Sequence, residues 1–202
     1  MNATTLTTPD GPFSIIVDTV PADSGTSVGA AQEAVLAAGW TADLDALLAL
    51  VHPSLRPAAV DPDTEGGPKT HPAASDGVLK RRPAAAQGVL AEAADAVRAY
   101  YDGDHGAPGR VPVRQASGPF RTHAWDVLRE VKAGERLTYS EYAVRAGRPA
   151  AVRAAAGACA MNAAALFVPC HRILRTDGTP GGFRYGLPIK ESLLARESPS
   201  PR

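Results

Sequence analysis

A thiol and an imidazole stand side by side at Cys170-His171, directly after Pro169 and at the end of the apolar run Ala163-Ala-Ala-Leu-Phe-Val168. The thiolate is the nucleophilic form of cysteine, and a neighbouring imidazole can help generate it. Proline fixes its own φ and biases the residue before it towards extended backbone, so the thiol is presented at the mouth of a buried strand or loop. The same two residues have a structural reading. A cysteine in an apolar stretch is commonly a small buried hydrophobe, and a histidine there can be a hydrogen-bonded core residue. Taken alone, the pair leaves both readings open.

Composition narrows the setting. A chain of 202 residues holds one large domain or two small ones, and 45% hydrophobic residues suffice for a core. Two cysteines and no signal-peptide pattern predict a reducing cytoplasm rather than a disulfide framework. No apolar run approaches the length of about 18 residues needed to span a membrane. The cysteines and five histidines form no CxxC or HxxxH spacing, so neither metal nor cofactor is expected. The net charge is zero but divided: residues 1–118 carry 8 basic and 14 acidic side chains, residues 119–202 carry 13 and 7. The basic half is the half with the Cys-His pair, a pointer towards nucleic acid, although clustered arginines can also form a solvated face.

The elements that must position the pair read as a mixed α/β (α+β) chain. An N-terminal α/β domain is expected over residues 1–100, a connector over 101–118, and a mainly helical domain over 119–202. Residues 1–10 are polar and read as a frayed end. Phe13–Asp18 and Ala34–Trp40 read as strands. Thr41 would cap a helix with Leu44, Leu47, Leu48 and Val51 on one face. Residues 57–80, rich in Pro, Gly, Asp and Thr, read as a long mobile loop. An Ala-rich helix spans 84–101 and stops at Gly103.

In the C-terminal part, helices are predicted over 119–132, 139–145, 149–161 and 188–196. The last would turn Ile189, Leu193 and Leu194 inward. The second and third, joined by Gly147-Arg-Pro149, make a helix-turn-helix pattern. On 149–161, Val152, Ala155 and Cys159 fall on one side, facing a core. Arg153, Gly157 and Ala160 fall on another, one long cation among very small residues, so backbone could approach a DNA groove closely. A solvated arginine on an Ala-rich helix is the other reading.

The segment Val168-Pro-Cys-His-Arg-Ile-Leu174, with Gly181-Gly-Phe-Arg-Tyr-Gly-Leu-Pro-Ile-Lys190 and Leu193-Leu-Ala-Arg-Glu197, resembles the active-site region of the O6-alkylguanine-DNA alkyltransferases, the methylated-DNA–protein-cysteine methyltransferases. Phe120-Arg-Thr-His-Ala-Trp125-Asp-Val-Leu128, Gly134-Glu-Arg-Leu-Thr-Tyr139-Ser-Glu-Tyr-Ala143 and the stretch from Ala151-Val-Arg153 to Met161-Asn162 resemble other family motifs. The match runs over about residues 96–197 in one register.

The resemblance implies suicide DNA repair, with irreversible transfer of an alkyl group from O6-alkylguanine in double-stranded DNA to Cys170 by a monomer. It implies that His171 activates the thiol through a water and that Glu197 orients His171. Tyr139 would donate to guanine N3 as the leaving group forms, and Asn162 would brace the cysteine loop. Asn162 could also cap its helix in the left-handed conformation. Arg153 would fill the gap left by the flipped base from the minor groove, with Arg148, Gly157 and Ala160 also against DNA. Pro169, Ile173, Phe183, Arg184 and Tyr185 would line the base pocket, with backbone near Cys170 and Ile173 bonding the guanine edge.

There are departures from the family pattern. Asn162 is followed by Ala163 rather than proline, which would loosen the loop, and Ala158-Cys-Ala160 lacks a basic side chain often found there. Phe183 stands where a tyrosine is usual. Cys159 reads as core. Three other classes remain to be separated: a lesion sensor that binds alkylated DNA without transfer, a plain helix-turn-helix regulator, and a thiol hydrolase. The presence of Cys170 argues against the first and the Pro-Cys-His segment against the second. No Gly-rich elbow supports the third.

Overall fold

The computed structural model describes residues 1–20, 31–56 and 88–198. The loop expected at 57–80 and the first residues of the helix expected from 84 lie outside them. Three antiparallel strands, β1 (Asn2–Thr8), β2 (Gly11–Val20) and β3 (Gln32–Gly39), form a meander in chain order. β1 corrects the expectation of a frayed start. Its threonines are β-branched and suit a pleated edge, while Leu6 and Thr8 are buried. Pro9-Asp10-Gly11 turns the chain with Gly11 at φ 110°. The polarity that suggested fraying belongs to the solvent side of an edge strand.

Helix α1 (Leu44–Leu48) is capped by Asp43, whose carboxylate accepts from Ala46 N at 2.9 Å, and not by Thr41. Thr41 instead accepts from the Asp43 amide. Leu47 and Val51 are buried, whereas Leu44 is exposed. Helix α2 (Val89–Tyr101) packs on the sheet and stops at Gly103, at φ 108°.

The free edge of β3 is covered by two later segments. Val35 N donates to Pro112 O and Arg114 N to Val35 O, both at 2.9 Å, within a parallel bridge to Val113. Further along, Ala38 N donates to Ala163 O and Ala165 N to Ala38 O, again at 2.9 Å. Covering the edge satisfies its backbone groups. It also registers the loop that leads to Cys170 against the N-terminal sheet.

The C-terminal part contains α3 (Pro119–Glu130), β4 (Leu137–Thr138), α4 (Tyr139–Arg145), α5 (Val152–Ala160), β5 (Ile173–Leu174) and α6 (Leu187–Arg196). α4 is closed by a reciprocal capping box between Thr138 and Glu141. α5 begins three residues later than predicted, because Pro149 lies in the turn and Ala151 is the cap. The parallel β4–β5 pair is absent from the helical reading, since two residues carry no periodicity. One buried cluster, including Phe13, Val35, Tyr100, Trp125, Phe167 and Leu193, continues across the connector.

Candidate active site

Cys170 opens a single 3-10 turn, Cys170–Arg172, which runs straight into β5. Because β5 pairs in parallel with β4, through Leu137–Ile173 and Thr138–Leu174, the start of α4 at Tyr139 is held beside the cysteine segment. Leu166, four residues before Cys170, lies in the left-handed region at φ 72°. For a non-glycine residue this costs on the order of 1–3 kcal/mol, tolerated because the surrounding bonds over-determine the loop.

Asn162 is the centre of those bonds. Its Nδ2 donates to Val168 O at 2.8 Å and to Cys170 Sγ at 3.2 Å. Its Oδ1 accepts from Gln115 Nε2 at 3.0 Å and from Ala164 N at 3.1 Å. Asn162 follows the helix cap Met161 but does not have a positive φ, so it is not a left-handed cap. The residue after it does not loosen the loop. Ala163 N donates to Gln115 Oε1 at 2.8 Å, a bond that proline could not make.

Behind the thiol, His171 is fully buried and its Nε2 lies 2.9 Å from Glu197 Oε1. A carboxylate can only accept, so Nε2 carries the proton and Nδ1 of the neutral ring presents a lone pair. Nδ1 has no hydrogen-bond partner among the described residues. Arg172 grips Glu197 in a fork, Nε to Oε2 and Nη2 to Oε1, both at 2.9 Å. Tyr100 Oη donates to Oε1 at 3.0 Å and Gly134 N to Oε2 at 3.4 Å. Glu197 sits at the C-terminal cap of α6 and is almost wholly buried.

Electrostatics follow from this geometry. Burial pushes the Cys170 thiol above its ordinary range, against the lowering effect of the Asn162 bond and the Lys190 charge, so the resting group is the thiol. Burial likewise lowers the pKa of His171 and keeps it neutral. Burial alone would raise Glu197, but the hydrogen bonds from His171 and Arg172 more than reverse this and hold it well below the usual carboxylate range. Tyr139 is half-buried, and desolvation raises its pKa, so it remains a phenol able to donate.

A cavity of about 360 Å³ opens over Sγ, a size within the usual range of small-molecule sites. Its walls include Tyr139, Cys159, Ala160, Asn162, Cys170, Phe183, Arg184 and Tyr185. Gly181, at φ 63°, carries the loop closely over Tyr139; a Cβ there would lie 3.3 Å from Tyr139 Oη. Two residues expected in the pocket are elsewhere. Pro169 faces a separate cleft with His105, Phe167 and Arg172. Ile173 is fully buried and its carbonyl already accepts from Lys190 Nζ at 2.6 Å. Cys159 packs against the core as expected, and it also reaches the cavity. Ala155 and Ala158 fill the core side of α5, and Cys159 is half-buried on the cavity wall.

On the outer face of α5, Arg153 is exposed and makes no hydrogen bond or ion pair with any described residue. A Cβ added at Gly157 would meet open space. Ala160 is exposed at the cavity rim, and its carbonyl accepts from Arg184. Arg148 lies over the Phe120 ring, 5.3 Å from its centre, and Arg145 pairs with Glu135 at 2.6 Å.

Sequence reasoning assigned no role to Tyr100, Gln115, Arg172 or Lys190. The signal for Lys190 was available. Lys190, Leu193, Leu194 and Glu197 fall at i, i+3, i+4 and i+7, which puts two charged groups on an apolar stripe of one helix. Tyr100 likewise continues the buried stripe of Ala93, Ala96 and Val97. Gln115 lies in an irregular connector, where nothing local marks it. Among the described residues there is no cluster of three or more His, Cys, Asp or Glu side chains able to hold a metal ion. No described helix is long and apolar enough to cross a membrane.

Comparison with known proteins bears on this arrangement. Residues 119–199 match the family model "6-O-methylguanine DNA methyltransferase, DNA binding domain". The methylated-DNA–protein-cysteine methyltransferase of Haemophilus influenzae is 39% identical over 102 residues, covering 50% of this chain and 57% of that protein. The human protein of the same name is 41% identical over 86 residues, covering 43% and 42%. The aligned segments thus span about half the length of these relatives. The O6-methylguanine-DNA methyltransferase structure from Pyrococcus kodakaraensis has the same fold, with a TM-score of 0.60 at 17% identity over 96% of this chain and 97% of that one. Residues 119–199, which bear the thiol, its bracing asparagine and the buried histidine–carboxylate pair, are thus the part of the chain that is similar in sequence to the O6-alkylguanine-DNA alkyltransferases.

Proposed function

We propose that this protein repairs DNA by direct reversal, moving an alkyl group from O6 of guanine in double-stranded DNA irreversibly onto Cys170. The observation that carries the reading is a thiol braced by Asn162 and followed directly in the chain by the buried His171–Glu197 pair. Asn162 Nδ2 reaches Sγ at 3.2 Å, and behind it the unprotonated Nδ1 of His171 is backed by the ionised Glu197. The S–H proton passes to Nδ1, through a water as in the family, and the carboxylate stabilises the imidazolium formed. The thiolate attacks the saturated carbon attached to O6, and the C–O bond breaks. Charge developing on the guanine is met by the phenol of Tyr139 at the cavity wall.

A base can reach Cys170 only outside the helix stack, which is the geometry of base flipping. The face of α5 supports docking in a groove, because Arg153 projects among Gly157 and Ala160, where backbone can come close. The product is a thioether, whose C–S bond is stable in water, so each molecule acts once.

The test is mass spectrometry of the intact protein after incubation with duplex DNA containing O6-methylguanine. One added methylene, mapped to Cys170, is the expected result. DNA binding without an adduct would identify a lesion sensor, and neither binding nor adduct would refute the DNA reading.

A further inference from the structure

Two walls of the cavity meet the chain at the end of β3, one at Ala38 and the other at Ala38, Gly39 and the following Trp40. One wall is the cysteine loop, whose Ala163 and Ala165 exchange backbone hydrogen bonds with Ala38. The other is the loop bearing Phe183 and Tyr185. Glycines at 181, 182 and 186 give that second loop little stiffness of its own. Its rings are held from outside. Trp40 lies 6.0 Å from Phe183 and 5.6 Å from Tyr185, centre to centre. Trp40 is itself fixed, edge-on to Phe13 at 4.8 Å and through Nε1 to Tyr101 Oη at 3.0 Å, which donates in turn to Asp10 at 2.8 Å.

The tip of Tyr185 occupies the space where residue 39 would carry a side chain. A Cβ at Gly39 would stand 1.8 Å from Tyr185 Oη and 2.0 Å from its Cζ. Any other residue at 39 must displace the ring. The slot is lined by Trp40 and by Ala38 O, 3.4 Å from the phenol oxygen.

We propose that Gly39 and Trp40 are positioning residues for Tyr185, so that the N-terminal sheet sets the size of O6 substituent the cavity accepts. The proposal rests on the alkyl-transfer reading above. It assigns the sheet a role in specificity, exercised through one ring lodged in one glycine slot.

The experiment compares single-turnover alkylation by O6-methylguanine duplex DNA and by free O6-benzylguanine. The full chain is used, as wild type, Gly39→Ala, Trp40→Phe, Tyr185→Ala and the two double variants. If Gly39 acts through Tyr185, Gly39→Ala shifts the ratio of the two rate constants by about tenfold or more when Tyr185 is present. It then shifts the ratio by less than about twofold in the Tyr185→Ala background, the coupling expected of residues in contact. Trp40→Phe should show the same dependence, and it stands in if Gly39→Ala does not fold. An unchanged ratio, or equal shifts in both backgrounds, overturns the proposal. If the wild type reacts with neither substrate, the alkyl-transfer reading has failed separately. Tryptophan emission then still decides the ring's placement, since Gly39→Ala must alter it only when Tyr185 is present.

Discussion

Arg172 and Glu197 form a two-pronged ion pair, Nε to Oε2 and Nη2 to Oε1 at 2.9 Å each, and the second oxygen also faces His171 Nε2. The carboxylate is therefore shared between holding the fold and orienting the imidazole. Tyr100 from α2 and the Gly134 amide before β4 converge on it as well, so four separate stretches of chain meet at one buried charge.

Replacing Glu197 by glutamine should be costly in both respects. Breaking a buried ion pair while leaving the other charge in place typically costs about 3–5 kcal/mol, which chemical denaturation would reveal. The pH dependence has a definite sign. The folded pKa of Glu197 lies far below its ordinary value of 4.5, so its contribution is complete above that value and is lost as pH falls below it. His171, also lowered from 6.5, acts in the same direction, weakening the fold as pH falls through that value. Stability of the wild type should thus decline on acidification, and the segment below about pH 4.5 should flatten in Glu197→Gln.

Cys170→Ala should abolish alkyl transfer and leave affinity for alkylated duplex DNA within a few-fold. The thiol is required for bond formation and contributes little to docking. Adduct mass and gel-shift measurements on one preparation would check both halves, and continued clearance of the lesion would remove Cys170 as acceptor.

Tyr139→Phe should fold normally and slow transfer by roughly 10–1000-fold, the range for loss of one proton donor or transition-state hydrogen bond. Rapid-quench single-turnover rates give the answer. A rate equal to the wild type would take Tyr139 out of the chemistry.

DNA affinity should fall with salt, along a shallow line. Of the three arginines nearest the helix-turn-helix, Arg145 is already paired with Glu135 and Arg148 rests on Phe120, leaving Arg153 free of such partners. About two or three phosphates engaged would give a log–log slope of about −2 to −3. Arg153→Ala should lose more activity on duplex than on single-stranded substrate, because only the duplex has a gap to fill.

The chemistry-bearing segment, most of the helices and two of the three strands of the N-terminal sheet were readable from residue order alone. These rest on local signals: Pro-Cys-His, the apolar stripes of α2, α3 and α6, and glycine at turns. β1 escaped because its edge position hides a strand behind polar side chains, and β4–β5 because two residues carry no period. Tertiary structure decided what each site residue touches. The fork of Arg172 on Glu197, the two hydrogen bonds from Asn162 to Val168 O and Cys170 Sγ, and the placement of Ile173 away from the cavity all join positions distant in sequence or depend on which way a loop faces. Tyr185 shows the limit most clearly. Its loop was readable as part of the pocket, but its partner is an empty Cβ position at Gly39, 146 residues earlier. A missing side chain leaves no trace in local pattern, and only packing in three dimensions turns it into a slot.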